Sequence, residues 1–224
     1  MDMNLKDKVF VVTGAGLGIG RSSALALGRA GATIIATDLN EDLAKETSTL
    51  IKVTNNKSLY FKLDVRDSDR CNQVANQVFN EFGRIDGWLN NAGVSSMNRL
   101  VDLTEEDWDF NMDINAKGVF FGTQAAARIM LKQSPDAKSG LRGKIINIAS
   151  MAAKRGNAPY LAHYVASKFA VLGFTQAVAG ELAEFGITAN SICPGYVATS
   201  MQERELAWEA NLRGVTVEDV KNLY

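Results

Sequence analysis

The chain has 224 residues, of which 46% are hydrophobic, and a formal net charge of −1. That is enough apolar material for one substantial core and too little positive charge for a polyanion-binding surface or a basic membrane-surface helix, so neither nucleic acid nor membrane is expected as a partner. Two cysteines, Cys71 and Cys193, lie far apart outside any C-x-x-C spacing and His163 is the only histidine, so no metal site is expected and both thiols should be reduced and buried.

In chain order, the opening MDMNLKDK lacks the basic region and apolar core of a signal peptide, and no apolar run reaches membrane-spanning length, which points to a soluble cytoplasmic protein. KVFVVTG (8–14) is a short, β-rich apolar run ending at glycine, the pattern of a strand buried on both faces. A helical pattern covers 18–30. ATIIATD (32–38) repeats the strand signal, EDLAKETSTLI (41–51) is helical, and SLYFKLDV (58–65) reads as a third strand ending near Asp64. Residues 66–83 read as a helix and DGWLNNAG (86–93) as a strand running into a turn. Thr104 then opens a long helix with a Thr-x-x-Asp start that reaches about residue 132. A polar loop (134–143) leads to KIINIAS (144–150), the fifth strand. Residues 160–185 are helical, and ITANSICPG (187–195) is the sixth strand with its terminating turn.

Strands alternating with helices in units of about thirty residues imply an α/β, doubly wound parallel sheet of the Rossmann type, one domain over 1–224, with helices on both faces. Ligands bind such sheets beyond the carboxyl ends of the strands. There TGAGLGIG (13–20) sits between the first strand and the first helix. Glycines at 14, 18 and 20 allow a sharp turn and close backbone approach, and the helix start offers N–H groups to a pyrophosphate. Asp38 ends the second strand, where a carboxylate accepts a ribose 2′-hydroxyl and repels a 2′-phosphate. Neither neighbour, Leu17 or Leu39, is basic, so NAD is preferred over NADP. Asp64 and Val65, after the third strand, are candidates for the adenine. HYVASK (163–168) places Tyr164 and Lys168 at i and i+4 on one helix face, where a fixed cation favours the phenolate and makes a tyrosine usable as an acid or base.

Thr13-Gly14-x-x-x-Gly18-Ile19-Gly20, Asn90-Asn91-Ala92-Gly93, Asn115, Ser150, Tyr164-x-x-x-Lys168 and Pro194-Gly195 with Thr199 together resemble the ordered motif set of the short-chain dehydrogenase/reductase family. The resemblance runs from Lys8 to about Met201. It implies that Tyr164 is the catalytic acid in ketone reduction and the base in alcohol oxidation, and that Ser150 bonds the substrate oxygen. It further implies that Lys168 holds the nicotinamide ribose and that Asn115 holds a water relaying protons through Lys168. Around the cofactor it places Gly14, Leu17, Gly18, Ile19, Asp38, Asp64 and Val65. Asn91, Ala92, Gly93, Pro194, Gly195, Val197 and Thr199 belong to the same cofactor set, the last on the carboxamide. Plainer roles stand beside these: Ser150 as a turn cap, Asn115 at a helix kink, NNAG as a tight turn, Thr199 as a helix cap, and His163 as a bystander.

Members of that family continue into a last helix, a seventh strand and a glycine-containing tail, whereas this sequence stops at Tyr224. The strand around 188–193 is therefore expected at the sheet edge. Residues 196–224 are expected to form a substrate lid with Leu206, Trp208 and Leu212 on its apolar side. The helices that build one family subunit contact are present, which implies a homo-oligomer, dimer or tetramer. The expected activity is NAD(H)-dependent interconversion of a secondary alcohol, a polyol or small hydroxy compound, and a ketone. The alternatives are a 3-oxoacyl-acyl-carrier-protein reductase or, in another class, a truncated, inactive NAD-binding or partner subunit.

Overall fold

The computed structural model describes residues 5–54 and 56–223; Met1 to Asn4, Asn55 and Tyr224, the outer ends of the opening and lid readings, lie outside the described residues. Six strands form one parallel sheet: β1 Val9–Thr13, β2 Thr33–Asp38, β3 Ser58–Lys62, β4 Gly87–Asn90, β5 Gly143–Ile148 and β6 Ile187–Ile192. Their spatial order is β3-β2-β1-β4-β5-β6. In register, Val9 faces Thr33 and Phe10 faces Gly87. The chain winds outward from β1 to β3, crosses back, and winds the other way from β4, so a crevice opens between the carboxyl ends of β1 and β4. β3 and β6 are the two edges of the described sheet.

The central strands read as unbroken apolar runs because both of their faces are covered. Alternate residues part to opposite sides. Val9, Val11, Ile35, Trp88 and Ile145 pack with α3 (Ser68–Phe82), α5 (Gly118–Met130) and α7 (Ala162–Ala183). Phe10, Val12, Ile34 and Leu89 pack with α1 (Gly18–Arg29) and α2 (Glu41–Val53). A buried polar chain crosses the first of these layers. Trp88 Nε1 donates to Asn90 Oδ1 at 2.8 Å, Asn90 Nδ2 donates to Thr123 Oγ1 and Asn147 Oδ1, and Asn147 Nδ2 donates to Thr175 Oγ1. Every link is satisfied, so the chain fixes β4, β5, α5 and α7 in one arrangement without leaving an orphaned group.

The expected long helix at 104–132 is interrupted. Thr104 and Asp107 form the capping box that their spacing predicts, opening α4 (Glu105–Asn111). The winding then widens to a π-helical segment, Met112–Lys117, before α5 begins. A short α6 (Ala152–Arg155) and a 3-10 turn, Leu100–Asp102, were not legible in the sequence. The lid region holds α8 (Ser200–Arg213) and α9 (Val217–Lys221). Its apolar side differs from expectation. Leu206 and Leu212 are half-buried and Trp208 is exposed, whereas Glu209 and Ala210 turn inward, Glu209 being neutralised by Arg213 at 2.6 Å. Both cysteines are free, and Cys193 is half-buried rather than buried.

Gly122 of α5 lies against the polar chain, where an added Cβ would collide with Asn90 Oδ1 and stand 2.9 Å from Trp88 Nε1. Gly122→Ala is therefore expected to destabilise the fold by on the order of 1–3 kcal/mol, read as a lower urea midpoint at unchanged slope.

Candidate active site

At the end of β1 the chain turns through Gly14, whose φ of +60° is a left-handed conformation that a side chain resists. A Cβ there would also come within 2.8 Å of Ala92 Cα. This close approach is stapled from both sides. Thr13 Oγ1 accepts from the N–H groups of Asn91 and Ala92, each at 3.0 Å, and Asn91 Nδ2 donates to the carbonyls of Thr13 and Gly14. Asn90 still belongs to β4 and no turn forms at Asn91, Ala92 and Gly93; these three continue from the strand and set the floor of the crevice. Following Leu17, α1 starts with no side-chain cap and no acidic residue in its first turn. Its free N–H groups and positive dipole end suit an anion such as a pyrophosphate. Asp38 waits at the end of β2, its carboxylate accepting from Gly16 N–H at 2.9 Å and Asn40 N–H at 3.0 Å.

These turns and the residues after β5 and β6 enclose a cavity of about 650 Å³, within the range of small-ligand sites. Gly14, Leu17, Gly18 and Ile19 line one side of it, together with Asp38. Asn91, Ala92 and Gly93 line the floor. Pro194, Gly195, Val197 and Thr199 line the wall after β6, and Ser150, Tyr164 and Lys168 stand opposite. Thr199 caps α8 by accepting from Gln202 N–H, and it also stands beside Gly18, where a Cβ would meet Thr199 Cγ2 at 3.4 Å. Asp64 and Val65 are not brought to this cavity. The Asp64 carboxylate is held by Arg66 at 2.7 Å, and Val65 is buried against Gly118.

Asn115, in the π-helical segment and fully buried, sits just behind the cavity. Its side chain clamps the backbone of Val94, accepting from the N–H at 2.8 Å and donating to the carbonyl at 2.9 Å, and it also donates to Ser167 Oγ. Both amide hydrogens are spent there, so a water held at this position falls mainly to the main chain. Lys168 is 5% exposed and its Nζ donates to Ile148 O at 3.0 Å. It lies 5.7 Å from the Tyr164 ring centroid. The helix face therefore brings phenol and ammonium together as the spacing predicts.

The electrostatics differ from the simple expectation of a lowered phenol. Burial pushes Tyr164 up to about 12, with the Ser150 hydroxyl pulling it down and the Glu205 carboxyl pushing it up. Burial also drives Lys168 down to about 8. With its Nζ turned to the Ile148 carbonyl, the lysine does not offset the desolvation of the phenol. His163 is fully buried, 2.8 Å from Ser96 Oγ through Nε2, with its pKa lowered by desolvation. It packs as a core residue, in keeping with the bystander reading.

The substrate end of the cavity holds residues that sequence reasoning missed, among them Met151, Leu161, Met201 and Glu205. The i, i+4 spacing of Met201 and Glu205 marks one helix face, but which face turns inward is decided by tertiary packing. No group of three or more potential metal ligands occurs among the described residues.

Comparison with known proteins gives a consistent picture. The sequence profile described as short chain dehydrogenase matches residues 8–210. The chain is 40% identical over 199 residues to the L-2,3-butanediol dehydrogenase of Corynebacterium glutamicum, covering 88% of this chain and 74% of that protein. It is 37% identical over 200 residues to the 3-oxoacyl-acyl-carrier-protein reductase of Synechocystis sp., covering 89% and 78% respectively. Among solved structures, NAD+-bound xylitol dehydrogenase superposes with a TM-score of 0.86 at 30% identity, covering 93% of this chain and 78% of that one.

The depressed lysine has a consequence for stability. The unfolded chain keeps Lys168 near its ordinary 10.5 while the folded chain holds it near 8, so below about pH 8 folding carries the full cost of a buried charge. That cost shrinks as pH rises from 8 and is gone above 10.5. Lys168→Met should therefore be more stable than the parent at pH 7 by on the order of 1–3 kcal/mol, with the difference disappearing towards pH 10.5 in urea titrations.

Proposed function

The chain belongs to the short-chain dehydrogenase family, and we propose that within it the protein interconverts a secondary alcohol and a ketone with NAD(H), using Tyr164 as acid and base. The observation that carries this reading is the convergence of Ser150, Tyr164 and Lys168 on one cavity whose other side is the uncapped start of α1. Bound there, the dinucleotide would supply the hydride in ketone reduction and accept it in alcohol oxidation. Its pyrophosphate fits the N–H groups after Leu17, its adenosine ribose fits Asp38, and its nicotinamide end fits Lys168, Val197 and Thr199.

In the reduction direction, Tyr164 donates its phenolic proton to the substrate oxygen while Ser150 Oγ hydrogen-bonds that same oxygen as charge develops on it. A phenol held protonated by burial is ready for that step. In the oxidation direction Tyr164 takes the proton back with Ser150 still bonded to the substrate oxygen, and Lys168, 5.7 Å from the ring centroid, stands where it can hold the nicotinamide ribose. NAD over NADP follows from Asp38, which repels a 2′-phosphate. The nearest arginine on α1, Arg21, is engaged by Glu46 at 2.9 Å, and Leu17 and Leu39 carry no charge.

Polyols or small hydroxy compounds suit the site better than an acyl thioester on an acidic carrier protein. Of Arg99, Arg142 and Arg155, only Arg155 lines the cavity. Arg142 is bonded to Gln133 O at the opposite end of β5, and Arg99 to Leu212 O, so no basic docking surface is assembled from them. Residues 196–224 serve in this reading as the lid of a single catalytic domain. Exposed Trp108, Phe110, Phe120 and Phe169 on α4, α5 and α7 support a homo-oligomer. No described helix is long and apolar enough to cross a membrane, and a cytoplasmic location completes the proposal.

Tyr164→Phe is expected to lower turnover by at least about a hundredfold while NADH affinity, measured by calorimetry, stays within about twofold of the parent; an unchanged rate would refute Tyr164 as the proton carrier. Asp38→Ala should narrow the preference for NADH over NADPH by about tenfold or more in the same titration, and undiminished selectivity would place the determinant elsewhere.

A further inference from the structure

Glu205 of α8 lines the same cavity as Tyr164 and Ser150 and is half-buried. Its charge reaches the reacting centre, since it pushes the Tyr164 phenol upward. No cation stands within ion-pair distance of it among the described residues. Arg204, next in sequence and itself exposed, acts on it only through space, and the inward-turned Glu209 repels it. The Ser95 hydroxyl lies beside the carboxyl and is the main group that opposes the cost of its burial, although its geometry falls short of a well-formed hydrogen bond to any described residue. The nearby wall is apolar: Met151, Leu161 and Met201. A half-buried carboxyl with no ion-pair partner and one hydroxyl beside it is incompletely satisfied, and desolvation raises its pKa accordingly. A ligand group that donates a hydrogen bond would remove that cost.

We propose that Glu205 is a specificity-determining residue whose carboxylate accepts a hydroxyl adjacent to the reacting carbinol, so that the enzyme prefers neutral vicinal diols, polyols and hydroxyketones. The inference rests on the alcohol–ketone reading of this cavity and narrows it. A mono-alcohol leaves the carboxylate unpaired, and an anionic substrate is repelled by it. A second hydroxyl satisfies it while the first is held between Ser150 and Tyr164. Sites built to bond a hydroxyl reject analogues that lack it far more strongly than apolar pockets reject a missing methylene.

The test compares kcat/KM for 2,3-butanediol, cyclopentanol and lactate, with NAD+, in the parent chain, Glu205→Leu and Glu205→Gln. The parent should favour butanediol over both other compounds. In Glu205→Leu the butanediol-to-cyclopentanol ratio should fall about tenfold or more. In Glu205→Gln, which keeps the shape and loses the charge, the ratio should fall at least about threefold and the discrimination against lactate should weaken. Calorimetric NADH binding shows that each variant retains its cofactor site, and if Glu205→Leu does not fold, the Gln variant decides alone. A parent that prefers cyclopentanol, or a ratio unchanged in a variant that binds NADH, overturns the assignment of Glu205. A parent that binds NADH but turns over none of the three compounds overturns the alcohol–ketone reading on which it rests.

Discussion

Everything at the ligand-binding end of this protein depends on how closely the first and fourth strands' exit loops approach each other. Thr13 is the anchor. Its buried hydroxyl accepts from two successive N–H groups of the opposing loop, and Asn91 returns two hydrogen bonds to the carbonyls on either side of the turn. Only glycine fits where the loops touch. Gly93, at the far end of the same loop, packs against Asn115 and Lys168, where a Cβ would meet Asn115 Oδ1 at 3.0 Å and Lys168 Nζ at 3.4 Å. The glycine-rich turn after β1 and the buried Asn115 and Lys168 are thus tied to the two ends of one short, tightly bonded segment, 91–93. A shift of the stapled loops would disturb both.

The sheet was legible because its central strands are buried on both faces, and such strands write themselves as unbroken apolar runs between glycines. Motif order identified about half of the cavity lining. Other features were illegible for physical reasons. The π-helical segment depends on the Asn115 clamp around Val94, a contact between residues 21 positions apart that no local pattern encodes. The inward turn of Glu209 depends on its pairing with Arg213. Asp38 ends β2 and Asp64 stands just after β3, yet the Asp64 carboxylate pairs with Arg66 away from the cavity and the Asp38 carboxylate accepts from backbone N–H groups at the cavity wall. Sequence position alone does not distinguish those fates.

The two charged groups nearest the chemistry are each disfavoured where they stand. Lys168 and Glu205 both shift towards neutrality through burial, and the fold tolerates them because its stability is secured elsewhere. At the amino ends of the strands, Asp86 accepts from Val9 N–H and pairs with Lys8 and Arg84. The core layers supply the rest. The ionic groups around Asp86 are paired with one another, whereas Lys168 and Glu205 have no ion-pair partner among the described residues, and both line a cavity large enough for ligands.

Helix α8 is fastened at both of its ends. At the start, Thr199 caps α8 and stands beside Gly18; at the finish, Arg99 donates to Leu212 O and Arg213 lies over the Tyr160 ring, 5.3 Å from its centroid. Tyr160, with a φ of +66°, in turn accepts from Asn98 N–H through its carbonyl, so that fastening is shared with the body of the domain. These ties grip the helix from its sides, so they fix its angle of rotation as well as its position. Because successive residues lie about 100° apart around a helix, that angle decides which side chains reach the cavity, and Met201 and Glu205 line it by virtue of contacts made at the two ends of α8.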